Sequence, residues 1–144
     1  MGKISIATAK EMLQIFCKKY EIEGEMQEDE NGGTLISPIW CKTANRTCAL
    51  GFVLDDSDGS LTLSFIIGRV KDETANSYMK IINENEPGGF SAIIANDGLF
   101  MLGKKISYQT DENFFSLLLS LLQQCLTIMD SEIVSLCAKV TNPL

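Results

Sequence analysis

The stretch from Asn113 to Met129 carries no charged residue, and its apolar side chains cover more than one helical face. Phe114, Leu118, Leu121, Cys125 and Ile128 fall on one side, and Phe115, Leu119, Leu122, Leu126 and Met129 widen the stripe. A helix resting on one sheet buries a stripe a little over ~100° wide, so this helix needs a second cover. That cover is either another helix of the same chain or a second copy in a symmetric dimer. Insertion in a membrane takes about 20 mostly apolar residues with basic anchors. Asn113, Ser116, Ser120, Gln123, Gln124, Thr127 and the acidic flanks argue against it. The segment reads as a soluble helix capped by Thr110 or Asp111 and running to about Val140, with Asp130 as its weak point.

The rest of the chain supplies what such a helix can pack on. Thr8-Ala9-Lys10-Glu11 has a capping-box pattern, and Met12, Leu13, Phe16, Cys17 and Tyr20 follow at helical spacing to an end near Glu21. An acidic stretch, Glu21 to Glu30, then contains no base. It reads as a solvated loop, the face of an early hairpin strand, or a docking surface for a basic partner. Three strand-like runs follow, Thr34 to Cys41, Thr47 to Leu54 and Leu61 to Val70. Their alternation puts Cys48, Leu50, Phe52 and Leu54 on one face, and likewise Leu61, Leu63, Phe65 and Ile67. Pro38 cannot donate to a ladder, which places the first run at a sheet edge or a bulge. Asp72 or Thr74 caps a second helix with Ala75, Tyr78, Met79 and Ile82 on its stripe, ending at Pro87-Gly88-Gly89. Phe90 to Ala95 and Leu99 to Tyr108 form a hairpin about Asp97-Gly98. The order is helix, three strands, helix, two strands, helix: an α+β chain with an antiparallel sheet packed by helices. At 144 residues and 45 % hydrophobic content, one domain over 1–144 accounts for it.

Several chemistries are disfavoured. The chain has no histidine, the commonest general base and transition-metal ligand. Its acids cluster in polar stretches, and none sits alone among apolar residues where a raised pKa would arise. The run Asp55-Asp56-Ser57-Asp58-Gly59-Ser60 resembles a calcium loop, but with Gly59 sixth the first ligand falls on Leu54 and the twelfth on Phe65, neither an oxygen donor. It reads as a turn. Gly32-Gly33 and Gly88-Gly89 lack the context of a phosphate loop. The reading is therefore of a noncatalytic protein with no cofactor and no metal. Against 19 acids stand 12 bases, for a net charge of -7, which makes nucleic acid an improbable partner. Cys17, Cys41, Cys48, Cys125 and Cys137 make an odd number in a chain without an evident secretory signal, which points to a reducing, cytoplasmic setting. Asn45-Arg46-Thr47 is then a chance glycosylation match, and Met1-Gly2 with Ile6 at the sixth position is no myristoylation site. Cys41 and Cys48 flank a hairpin loop, where a disulfide, a redox pair or two free thiols are all conceivable.

The candidate binding residues lie in two places. Ile39 and Trp40 sit on the Pro38 strand, so Trp40 is either a core residue or an edge anchor for a partner. Phe115, Leu119, Leu122 and Leu126 form the wider face of the last helix and are candidates for a dimer or partner interface. The alternative is a small-molecule binder or unconventional small enzyme with a pocket between the sheet and the last helix.

The element order, the acidic balance and the long apolar last helix resemble the fold shared by type III secretion chaperones and the YbjN family of bacterial sensory transduction regulators. The resemblance is closest from Asn76 to Met129, where Tyr78-Met79-Lys80-Ile81-Ile82-Asn83-Glu84-Asn85 leads to Gly89-Phe90-Ser91, the Asn96-Asp97-Gly98 turn and the final helix. It implies a homodimeric module that binds another protein or an extended peptide segment at apolar patches and strand edges. Lys18-Lys19-Tyr20 stands where secretion chaperones carry a leucine-glycine motif after the first helix.

Overall fold

The computed structural model describes residues 3–144. Met1 and Gly2, the positions read against myristoylation, lie outside them. Helix α1 (Ile6–Lys19) precedes strands β1 (Met26–Asp29), β2 (Gly32–Cys41), β3 (Arg46–Asp55) and β4 (Ser60–Val70). Helix α2 (Thr74–Asn85) leads through a short 3-10 turn at Pro87–Gly89 to β5 (Ser91–Ile94) and β6 (Leu99–Ser107). Helices α3 (Phe114–Met129) and α4 (Glu132–Lys139) and a two-residue strand β7 (Thr141–Asn142) complete the chain. The expected order holds, with two short strands added. β1 arises from the acidic stretch and bears out its reading as an early hairpin strand, and β7 is too short to show a period.

The strands form one antiparallel sheet in the order β1-β2-β3-β4-β6-β5, with β7 pairing the end of β4. Leu50 lies opposite Phe65, Phe52 opposite Leu63 and Leu54 opposite Leu61, so the period-two alternation builds one continuous apolar face. These residues are almost fully buried and share one core with Leu13 and Phe16 of α1 and Leu118, Leu121 and Cys125 of α3. The opposite face carries the exposed side chains of Ile36, Trp40, Val53 and Ile93.

Helix starts differ from the sequence reading by a few residues. Ser5, not Thr8, caps α1, its hydroxyl accepting from the Thr8 amide at 3.1 Å. Asn113, not Thr110 or Asp111, caps α3 by accepting from the Ser116 amide at 3.0 Å. In both cases an earlier or later side chain satisfies the free amides of the first turn. Asp72 serves the start of α2, accepting from the amide and hydroxyl of Thr74 at 2.9 and 2.8 Å. The last helix breaks at Asp130, and α4 leaves α3 at 61°. No single helix among the described residues is long and apolar enough to cross a membrane.

Candidate functional site

The edge of the sheet is only partly covered. β1 pairs with Gly32 to Leu35 of β2, and from Ile36 to Cys41 the strand pairs with β3 alone among the described residues. Pro38 lies in this free portion, as its missing amide requires. A surface groove of about 430 Å³ opens there, lined by the chain from Tyr20 to Glu23, by Ser37 to Trp40 and Leu50, and by Leu122 and Leu126. Ser37 and Ile39 belong to the covered face of β2, Pro38 and Trp40 to the open face. Residues from both faces line it, so the groove spans the edge of the strand that β1 leaves free.

Its second wall is set by how α1 ends. The Ile22 amide donates to the Cys17 carbonyl at 2.8 Å and the Glu21 amide to Lys18 at 3.3 Å, the paired bonds of a Schellman stop. Such a stop places the residue after the cap in the left-handed region, and Glu21 occupies it with φ 56°. A non-glycine residue there carries a cost on the order of 1 kcal/mol. The turn throws Tyr20, Glu21 and Glu23 toward the free edge of β2. The Tyr20 ring packs against that of Phe16, tilted by 52° with centroids 4.8 Å apart, and the Lys19 ammonium lies 5.6 Å from the Tyr20 centroid.

Of the residues singled out in the sequence, Ile39, Trp40, Leu122 and Leu126 meet in this groove. Trp40 is 60 % exposed, which decides against core packing. Leu126 is exposed, whereas Leu122 is buried and does not stand on an outer face; it floors the groove. Phe115 and Leu119 are half-buried against the core, and the Phe115 ring lies 6.3 Å from that of Phe16. The missing cover for the last helix is thus supplied in part by α1. Tyr20 and Ile22 reach the groove only through the turn after α1, and Leu50 through its place in β3 opposite Ser37, so no local pattern marks them as lining residues.

The pocket and redox readings meet packed interiors, and the acidic turn is engaged by its own neighbours. Between the sheet and α3 the space is filled by Phe65, Leu118, Leu121 and Cys125, each at most 2 % exposed. Asp55 and Asp58 are engaged within their own turn, Asp55 accepting from the Ser57 amide at 2.9 Å and Asp58 from the Ser60 hydroxyl at 2.5 Å. Cys41 and Cys48 are both buried and free. Cys41 donates to the Met129 carbonyl at 3.6 Å and Cys48 to Ile67 at 3.7 Å.

Burial pushes the thiols of Cys48, Cys125 and Cys137 up to about 12 and that of Cys17 to about 11. The thiolate is the reactive form, so a thiol reagent at mildly alkaline pH is expected to leave all of them unmodified in the native protein and to label them promptly in urea. Fast native labelling of Cys41 or Cys48 would restore the redox reading. The same shifts set a pH dependence. An unfolded thiol ionises near 9, whereas the folded ones hold their protons to 11 or 12. Below pH 9 the contribution is fully present; it falls as pH rises from 9 toward 12, because the unfolded state releases protons first. The urea midpoint is expected to be flat with respect to these groups below pH 9 and to drop above it, less steeply in a Cys125→Ala variant.

A chain of the ExsC-ExsE complex superposes with a TM-score of 0.62 at 12 % identity, covering 87 % of this chain and 90 % of that one. A chain of the HopA1-SchA chaperone-effector complex does so at 0.60 and 18 % identity, covering 88 % and 94 %. The chain has a secretion-chaperone fold. A chain of the Yersinia pestis type III secretion chaperone SycH in complex with a fragment of YscM2 lies further off, at a TM-score of 0.47 and 12 % identity over 83 % and 94 %. No protein-family model and no curated protein matches the sequence. At these identities the secretion-chaperone likeness is one of fold, and to that extent it bears out the resemblance read from the sequence.

Proposed function

We propose that this chain is a noncatalytic protein-binding module, chaperone-like or regulatory, that receives an extended segment of another protein in the groove beside β2. The observation that carries this reading is the coincidence, in one groove, of a free strand edge with the exposed Trp40 and Leu126. A free edge binds a segment by main-chain hydrogen bonds, and adjacent apolar side chains select what it carries. Solved chains of the same fold occur in complexes with other proteins, one of them named a chaperone-effector complex. The filled space between sheet and α3 favours this over a pocket enzyme. The YbjN resemblance supports a regulatory form of the same role, and the five free cysteines support a cytoplasmic setting.

Replacement of Trp40 by alanine tests the groove. The side chain is mostly exposed, so stability is expected to change by no more than ~0.5 kcal/mol. An aromatic anchor at the centre of an interface is worth about 2 kcal/mol, so binding of the partner segment is expected to weaken roughly thirtyfold. Unchanged affinity measured by titration calorimetry would remove the groove from the proposal.

A homodimer belongs to the same proposal. Exposed Ile81 of α2 and Leu136 of α4 border a wholly apolar notch of about 110 Å³ on a different surface from the groove. Light scattering at high concentration is expected to give a dimer; a monomer would sink that part while leaving the groove untouched.

A further inference from the structure

We propose that the segment received by the groove is cationic: an apolar anchor seated against Trp40 and Leu126, flanked by lysine or arginine paired with Glu21 and Glu23. The proposal rests on the groove reading above and names the chemistry of its occupant. Glu21 and Glu23 both line the groove and both are exposed, and no lysine or arginine lines it. The salt bridges among the described residues, Lys10 with Glu28 and Lys105 with Asp58, involve neither of them. Glu25 lies two residues further along the same turn, in an adjoining hollow of about 480 Å³ that it shares with Glu23 and Lys18. The wall formed by Ser37, Pro38, Ile39 and Trp40 has no charge at all. An extended chain laid along β2 therefore meets apolar side chains on one flank and the carboxylates of Glu21 and Glu23 on the other.

That asymmetry selects among occupants. A second copy of this chain brings a net charge of -7 to an acidic wall, and like charges oppose the approach. Of its paired lysines, Lys18-Lys19 lie in α1, while in β6 Lys104 donates to the Gly88 carbonyl and Gln124 and Lys105 pairs with Asp58. A different protein with a basic, extended segment fits both the charge and the free edge. Exposed ion pairs are weak individually, so each carboxylate is expected to contribute about two- to fivefold in affinity and both together roughly tenfold. The effect falls with added salt, which screens exposed charges.

The geometry of Glu21 gives a clean variant. Its backbone is left-handed at the stop of α1, where glycine is the residue best accommodated. Glu21→Gly thus removes the charge without loss of melting temperature, and Glu23→Gln removes the second charge at an exposed position. The experiment selects a random phage-displayed peptide library against the full chain at low ionic strength, then measures the recovered peptides as synthetic ligands. The expected result is enrichment of lysine or arginine beside an apolar residue. Binding should weaken in Trp40→Ala, Glu21→Gly and Glu23→Gln, and the carboxylate effects should vanish at high salt. Peptides that need Trp40 but show no basic enrichment and ignore both carboxylates would overturn the cationic proposal and leave the groove reading standing. Peptides indifferent to Trp40 as well, or the recovery of no binder, would overturn both. A dimer that Trp40→Ala splits, with no peptide selected, would assign the groove to a second copy and equally overturn the proposal.

Discussion

Phe65→Ala is expected to cost about 3–5 kcal/mol of folding free energy, the range for truncating a fully buried aromatic ring. The ring is 0 % exposed. It sits on the central strand β4, opposite Leu50 of β3 and Leu102 of β6, on the face covered by α3. Neighbours on two strands hold the backbone in register, so the surroundings cannot collapse into the space the ring leaves, and a cavity term adds to the lost transfer energy. Domains of this size are stable by roughly 5–15 kcal/mol, which makes the loss a large share of the total. A urea titration gives the value directly. Val53→Ala on the same sheet but on its open face, where the side chain is 40 % exposed, is expected to cost under ~1 kcal/mol. Equal losses at the two positions would contradict the one-sided core.

Arg46→Ala is expected to cost about 2–4 kcal/mol and to release the C-terminal segment selectively. The guanidinium donates from Nη2 to the Ala138 carbonyl at 2.8 Å and from Nη1 to the Thr141 hydroxyl at 2.9 Å. Longer bonds reach the carbonyls of Thr141 at 3.3 Å and Ile67 at 3.4 Å. One side chain at the start of β3 therefore ties together β4, the end of α4 and β7. Hydrogen bonds to a charged group contribute about 1.5–3 kcal/mol each when buried, and less at a half-buried site such as this, where water replaces part of the loss. Gly68 lies in the same knot: a Cβ there would collide with the Asn142 carbonyl and stand 2.9 Å from Arg46 Nη1. Gly68→Ala is thus expected to displace β7 and to shift the Arg46 guanidinium with it. In hydrogen exchange both variants should lose protection over residues 132–142 before the β3–β4 ladder does. Uniform loss across the sheet would mean that the segment is not a separate unit.

How far the fold was legible depended on the range of the interactions that made each part. The strands from Thr34 to Val70 announced themselves because alternation is local and one face of the sheet is buried along its whole length. The Asp97-Gly98 turn was legible for a similar reason, since Gly98 takes φ 87° by its own lack of a Cβ. The break at Asp130 was also visible. β1 was open between a loop and an early hairpin strand, because its side chains are mostly exposed and its pairing with β2 is all that makes it a strand. The caps of α1 and α3 were misplaced because several Ser, Thr, Asp and Asn residues stand near each start, and only the backbone geometry selects one, whereas Asp72 serves the start of α2 as read.

The candidate site divides in the same way. Pro38 marked a sheet edge from sequence, and Trp40 and the acidic stretch from Glu21 to Glu30 were each open to a binding role or a bland one. Sequence by itself determined the α+β class, the face each strand buries, the want of a histidine for acid-base chemistry, and an apolar last helix too wide for one sheet. Those properties follow from residue identity and from neighbours a few positions away. Only the tertiary structure decided that α1 supplies part of that helix's cover, that Leu122 is buried while Trp40 is not, and that Glu21 and Glu23 line one groove with Trp40 and Leu126. Each of these depends on where the Schellman stop of α1 directs the chain and on how far β1 extends along β2. Both are set by contacts between segments distant in sequence, which no local period records.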